Sequence, residues 1–288
     1  MSPRLNRLVP LALAGALLAA CNNADAPAPA TPVAEPAAPA PAPPPPLTDV
    51  IEQTPRALVG ISYPPQLNAI PGLAAEVRAY SDAVRRDLDQ ALAGLTADPT
   101  APYELTLAYT VQAQTPALVA VAADGSLYTG GAHSNPLTRR FVWLVPQQRL
   151  LRAEDLMADP MGWRTVSDYV REQLHTALSA RADADELPPA ERAQLVKTAG
   201  RMIDDGTKPE AAAFAAFEPM LDPATDALTG LRFVFPAYQV GPYSDGMRSV
   251  DVPIEVLRPL LKPEVAALFT TPVPPPPPPA PPPPPPGA

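Results

Sequence analysis

The sequence predicts an α+β domain in which helices pack on a largely antiparallel sheet. Three observations lead to this prediction: strands of alternating polarity, helical stripes of apolar residues between them, and turn signals that suit hairpins. The clearest strand is Tyr103–Gln112, where apolar and polar residues alternate along the whole segment. A period of two places one face of this strand on a core and the other near water.

Five further segments have strand character. Residues 117–123 are apolar throughout and are followed by Asp124-Gly125, a pair typical of turns. Thr138–Val145 precedes a polar turn at Gln147-Gln148. The remaining predicted strands are Arg56–Tyr63, Leu231–Phe235 and Ser249–Val252.

Helices are predicted between these strands. One predicted helix, the second in chain order, begins at Asp159-Pro160 and runs to about Ala182. Aspartate often caps the start of a helix, and proline suits its first turn. Another spans the residues from Pro188 to Gly206, and short helices follow Pro253 and Pro263. The first helix carries one apolar stripe with positions three or four residues apart. Its members are Leu73, Val77, Tyr80, Val84, Leu88, Leu92 and Leu95.

Proline marks the ends of the folded part. The chain has 288 residues and 45 prolines, about three times the usual share. Ten prolines lie in residues 27–46 and thirteen in residues 272–286. Such segments bury too little apolar surface to fold. We predict a signal segment at 1–21, an Ala/Pro-rich linker at 22–47, an α+β domain at 48–271 with sub-segments of about 48–125 and 126–271, and a polyproline tail at 272–288.

The N-terminus resembles a bacterial lipoprotein signal. Two arginines precede the apolar run Leu8–Leu18, which is too short for the roughly 20 residues that span a bilayer. The run ends in Leu18-Ala19-Ala20-Cys21, which is similar to a lipobox, and Cys21 is the only cysteine. Lipidation of Cys21 would anchor a periplasm-facing protein in the cell envelope, and Asn22 favours the outer over the inner membrane. An ordinary signal peptide with a chance cysteine is the alternative.

Charge and residue counts restrict the partners. The formal net charge is −9, so the sequence does not predict the basic surface that binds a nucleic-acid backbone. An acidic surface favours a cationic partner, although solubility alone also explains it. Carboxylate pairs such as Glu154-Asp155 lie near predicted helix ends, where capping accounts for them. With one cysteine and two histidines, we predict neither a metal centre nor a cofactor.

Two loops carry the candidate binding residues. Residues 128–135 contain paired glycines, which permit positive φ and close backbone approach. Residues 235–246 contain two tyrosines, whose rings offer an apolar face and a polar tip. A structural turn also explains either loop. His133 next to Ser134 raises the possibility of a hydrolase, but the sequence has no Gly-x-Ser-x-Gly elbow. The candidate site consists of Gly130, Gly131, His133, Tyr238, Pro242, Tyr243 and Gly246.

These loops resemble the RsiV-type extracellular domain, a family of largely unknown function found outside the bacterial membrane. The resemblance rests on Tyr128–His133 followed by Asn-Pro, then on Phe235-Pro236-x-Tyr238 and Gly241-Pro242-Tyr243-x-x-Gly246. Ile61-Ser62-Tyr63-Pro64 and the helix after it look like the segment that usually precedes this domain, which also accompanies the catalytic domain of the peptidoglycan deacetylase PdaC. Together these motifs cover about residues 55–262.

The resemblance implies a binding module. In the family's namesake the domain is a lysozyme receptor, but neither the cytoplasmic segment of that protein nor the metal-binding motifs of the deacetylase occur in this sequence. We therefore expect a non-catalytic domain that binds peptidoglycan or a lysozyme-like muramidase, with its tyrosines as anchors. The alternative is a small envelope hydrolase in which His133 acts as acid/base beside a carboxylate.

Overall fold

The computed structural model describes residues 45–269. Cys21, residues 22–44 of the predicted linker and the polyproline tail lie outside the described residues. Within the described part the fold is α+β, as predicted, with helices packed on two sheets. No helix between residues 45 and 269 has the length and apolar character needed to cross a membrane.

The larger sheet has six strands that follow one another in sequential order. All neighbouring pairs are antiparallel except β2 and β3. That pair is parallel because the helix α1 (Pro71–Ala93) forms a crossover between the two strands. The strands are β1 (Val50–Gln53), β2 (Ala57–Ser62), β3 (Tyr103–Gln114), β4 (Leu118–Tyr128), β5 (Asn135–Leu144) and β6 (Arg149–Leu150).

The smaller sheet is antiparallel and has the strand order β7-β8-β9. Its strands are β7 (Phe217–Leu221), β8 (Leu228–Phe235) and β9 (Arg248–Pro253). Two long helices precede this sheet in the chain, α2 (Gly162–Ala184) and α3 (Pro189–Gly206). Two short helices follow it, α4 (Ile254–Leu257) and α5 (Pro263–Ala266).

Strand β4 separates two hydrophobic cores. Val119 and Val121 pack in the core beneath α1, whereas Leu118 and Ala120 belong to the core formed with α2 and the smaller sheet. Both faces of this part of β4 are therefore covered, which explains why residues 118–123 are apolar throughout. The stripe predicted on α1 is the face that this helix buries, with Leu73 and Leu88 among its fully buried residues. The last predicted member, Leu95, lies beyond the end of the helix at Ala93.

The prediction that β4 ends at Asp124-Gly125 is wrong, because the strand continues to Tyr128. A Cβ atom at Gly125 would lie 2.0 Å from the carbonyl oxygen of Thr106 in β3. The glycine therefore permits a close approach of two strands and does not form a turn. The boundary proposed near residue 125 between the two sub-segments lies within this strand.

The start of α2 also differs from the sequence prediction. The helix begins at Gly162, and no side chain caps it. Asp159 Oδ1 instead accepts a hydrogen bond from the backbone N–H of Met161, with a distance of 2.8 Å. Asp159 and Pro160 thus form the turn that leads into the helix.

Three hydroxyl groups form a hydrogen-bonded chain beneath α1. Tyr63 Oη donates to Ser81 Oγ at 2.8 Å, and Ser81 Oγ lies 2.8 Å from Tyr109 Oη. The Tyr63 and Tyr109 rings stack with their centroids 5.1 Å apart. Burial raises the pKa of Tyr109 well above its ordinary value of 10.0, although the Ser81 hydrogen bond opposes the rise.

This raised pKa predicts a loss of stability at alkaline pH. In the unfolded chain Tyr109 loses its proton near pH 10, whereas the folded protein keeps it, so the free energy of unfolding falls as pH rises above about 10. We expect Tyr109→Phe to have a shallower fall than the wild type in urea unfolding between about pH 8 and pH 11. Equal slopes for the two proteins would contradict the prediction.

Candidate functional site

The two candidate loops meet in space. One joins β4 to β5 and the other joins β8 to β9. Tyr238 Oη lies 3.2 Å from His133 Nε2. The Tyr243 ring stacks on the His133 imidazole, with centroids 4.2 Å apart and an interplanar angle of 12°. We call His133, Tyr238 and Tyr243 the aromatic patch.

The glycines of the first loop shape it rather than contact the patch. Gly130 and Gly131 have φ angles of 92° and 104°, a conformation that L side chains rarely adopt. Tyr128 Oη donates to the carbonyl oxygen of Gly131 at 3.3 Å and closes the loop. The loop thereby carries His133 outward, where it is exposed.

Hydrogen bonds within the second loop and from it to the end of α3 and to Ala213 hold this loop in place. Tyr238 N donates to the carbonyl oxygen of Gly241 at 3.0 Å. The Gln239 amide donates to the carbonyl oxygens of Gly206 and Ala213 at 2.9 and 2.8 Å. A Cβ at Gly206 would lie 2.0 Å from the Gln239 carbonyl oxygen, so the last residue of α3 must be glycine for the loop to lie this close.

Tyr243 lies in a short turn whose conformation depends on its neighbours. Pro242 precedes the 3₁₀ turn Tyr243–Asp245, and Gly246 leaves it with a φ of 67°. Asp245 accepts a hydrogen bond from Arg181 Nη1 of α2 at 2.8 Å and pairs with Arg248 of β9. Burial raises the pKa of Asp245, but the hydrogen bonds from both arginines outweigh this effect, and the pKa lies below 3.8.

The candidate residues therefore divide into two groups. His133, Tyr238 and Tyr243 contact one another, whereas the remaining four set the backbone conformation around them. Asp245 and Arg181 were not predicted from the sequence, although their ion pair links the turn Tyr243–Asp245 to α2. Asp245-Gly246 indicated a turn, but no sequence signal connects this aspartate to an arginine in a distant helix.

The patch is an open surface of rings and polar tips. Within residues 45–269, the side chain of His133 contacts Tyr238 and Tyr243, and no carboxylate pairs with it. Five cavities in this part of the chain lie away from the patch, and no patch residue lines any of them. The arrangement can therefore bind a partner through ring faces, two hydroxyls and an imidazole.

The other titratable candidates have structural partners. Asp155 accepts hydrogen bonds from the Arg152 backbone at 3.2 Å and from Arg149 at 2.9 Å. His175 Nε2 lies 3.1 Å from Asp204 Oδ1 on the neighbouring helix. The described residues contain no group of three His, Cys, Asp or Glu side chains placed to hold a metal ion.

These features define an α+β domain with two cores whose connecting loops present an aromatic patch. No protein-family model and no curated protein matches the sequence. A solved DUF3298 family structure from Bacteroides fragilis is similar, with a TM-score of 0.50 and 17% identity over 77% of this chain and 95% of that chain. A second, from Pseudomonas aeruginosa PAO1, has a TM-score of 0.46 and 18% identity over 76% and 93%.

The Bacteroides structure shows a similarity of fold with a family that is named as a domain of unknown function. The comparisons therefore assign neither catalysis nor a specific partner. The RsiV-type resemblance and the lipid anchor at Cys21 stay predictions from the sequence.

The backbone conformation of Tyr238 should allow its side chain to be removed without a loss of stability. Its φ of 75° costs a non-glycine residue roughly 1–2 kcal/mol. We expect Tyr238→Gly to unfold with a free energy within about 1 kcal/mol of the wild type, because relief of strain offsets a lost exposed hydrogen bond. If the patch binds a partner, this variant should bind it at least about tenfold more weakly.

Urea unfolding and a binding titration check this prediction together. Tyr238→Asn serves as a second variant, because asparagine also tolerates positive φ. A loss of about 2 kcal/mol or more in both variants would show instead that Tyr238 stabilises the fold.

Proposed function

We propose that the protein is a lipid-anchored component of the cell envelope whose domain binds, without catalysis, a cell-wall-related partner through the aromatic patch. The partner is either peptidoglycan or a lysozyme-like muramidase. The observation that carries the proposal is the meeting of His133, Tyr238 and Tyr243 on an exposed surface. A half-exposed tyrosine held at positive φ is a feature of binding sites more than of scaffolds.

The shape of the surface favours a protein partner over a glycan. Ligand sites for small molecules are usually concave, whereas none of the five cavities described above is lined by a patch residue. The same loop also exposes Met247, which like Tyr238 is 50% exposed. Tyrosine and methionine are enriched at protein interfaces, and the net charge of −9 favours a cationic partner such as a muramidase.

The first experiment is a pull-down with the purified full chain, using lysozyme and peptidoglycan sacculi at low and moderate salt. Salt-sensitive capture of lysozyme alone would support a receptor or inhibitor, and capture by sacculi would support a cell-wall tether. Binding to neither would contradict the proposal. Turnover of peptidoglycan that is lost in His133→Ala would support the hydrolase alternative instead.

The proposed anchor needs a separate test, because its support comes from the sequence around Cys21. Wild-type protein expressed in bacteria should fractionate with membranes and incorporate labelled fatty acid. Cys21→Ala should lose both properties. Labelling of the variant equal to the wild type would exclude this residue as the lipidation site.

A further inference from the structure

An ion pair lies beneath the turn that carries Tyr243. The Asp245 carboxylate is 13% exposed and accepts a hydrogen bond from Arg181 Nη1 at 2.8 Å. Arg248 Nη2 lies 3.1 Å from the other carboxylate oxygen. Arg181 belongs to α2, which contributes no residue to the aromatic patch.

Apolar packing beneath this turn is incomplete. A cavity of about 80 Å³ lies between α2, α3 and the turn. Leu178, Ile203 and Val240 line it together with Arg181 and Asp245. Arg181 and Asp245 line this cavity together, so their ion pair joins α2 to the turn beside it.

We propose that Arg181 is a positioning residue that, by holding Asp245, keeps the Tyr243 ring stacked on His133. The consequence for affinity rests on the proposed function, because it assumes that the patch binds the partner. Arg181 is 46% exposed and also lies 3.6 Å from Asp185, so salt screens its contact with Asp245. Binding at the patch then weakens with salt even for a partner without charge.

Histidine NMR tests the positioning role without any partner. The chain has two histidines, and a ring stacked on His133 shifts its imidazole protons upfield. In full-length Arg181→Met, we expect the His133 signals to lose most of this upfield shift, whereas the His175 signals stay unchanged. Arg181→Lys should restore part of the shift, because it keeps a positive charge near Asp245.

Arg192→Met provides the matched control. Arg192 pairs with Asp183 at 2.7 Å and is 43% exposed, close to the exposure of Arg181. We expect this variant to leave the His133 signals at their wild-type positions. An Arg181→Met spectrum with unchanged His133 signals, or the same change in Arg192→Met, would overturn the inference.

A titration with the partner captured in the pull-down provides the second readout. Arg181→Met should bind about fivefold more weakly than the wild type, and Arg192→Met should bind equally well. If no partner is captured, the proposed function fails while the NMR result still decides the positioning role. If the His133 signals shift in Arg181→Met but the affinity is unchanged, Arg181 orders the turn without affecting binding. The part of the inference that concerns binding is then wrong.

Discussion

Replacing Tyr243 by alanine should weaken partner binding by about 30-fold or more, the effect of losing an aromatic anchor at the centre of an interface. The ring stacks on His133 at 4.2 Å and also lies 5.6 Å from the Tyr238 ring. Its removal therefore takes away contact area and releases both neighbours from their positions. Because the patch is on the surface, the free energy of unfolding should change by no more than about 1 kcal/mol.

His133→Ala should have a similar effect on binding, because the imidazole contacts both tyrosines. Binding of the two variants to the captured partner is measured by calorimetric titration, and their stability by urea unfolding. The effects of the two substitutions should not add in the double variant, because the residues form one cluster.

Two exposed hydrophobic residues outside the patch serve as controls. Ile51 is 88% exposed on β1, and Met161 is 60% exposed before α2. Ile51→Ala and Met161→Ala should bind like the wild type. If Tyr243→Ala also binds like the wild type, or if the controls lose as much affinity, the patch is not the binding surface.

Sequence patterns predicted strands either from alternating polarity, as in β3, or from a continuous apolar run, as in β4, and missed β1, β6 and β7, which show neither. In β1, three of four residues are exposed, so its sequence shows no alternation. The strand β7 contains Pro219, and proline within a run argues against a central strand. It is accommodated because β7 is one of the two edge strands of the smaller sheet.

The candidate site could be predicted only as two separate loops. Paired glycines and tyrosines identify the loops by composition, and the structure then brings together residues 105 positions apart. The supporting contact joins Arg181 and Asp245, which are 64 positions apart and lie in different elements. No residue spacing predicts such a contact, because it follows from the packing of α2 against the smaller sheet.

A large loss of stability is expected at Arg140, a charged residue in a segment that the sequence predicts as an ordinary strand. Its side chain is only 4% exposed. Arg140 Nη1 donates to Asp124 of β4 at 2.8 Å, and its Nε donates to Glu218 of β7 at 3.0 Å. One guanidinium therefore links the larger sheet to the smaller one.

Arg140→Met should lower the free energy of unfolding by about 3 kcal/mol, because the largely buried Glu218 carboxylate loses its nearer partner. Glu218 is 13% exposed, and Arg232, the other cation paired with it in the described residues, lies 4.0 Å away. Methionine keeps the apolar part of the side chain, so the loss of stability in this variant measures the effect of removing the guanidinium group. Urea unfolding measures the loss.

Arg232→Met is the matched control for this substitution. Arg232 makes two hydrogen bonds to Asp251, at 2.6 and 2.8 Å, but its side chain is 43% exposed. An exposed pair contributes about 1 kcal/mol or less, so the two variants should differ clearly although both remove an arginine with good geometry. Adding Glu218→Gln to Arg140→Met should recover part of the loss, because the unpaired charge is then removed. A loss of about 1 kcal/mol or less in Arg140→Met, with no recovery in the double variant, would show that the ion pairs of Arg140 do not hold the two sheets together.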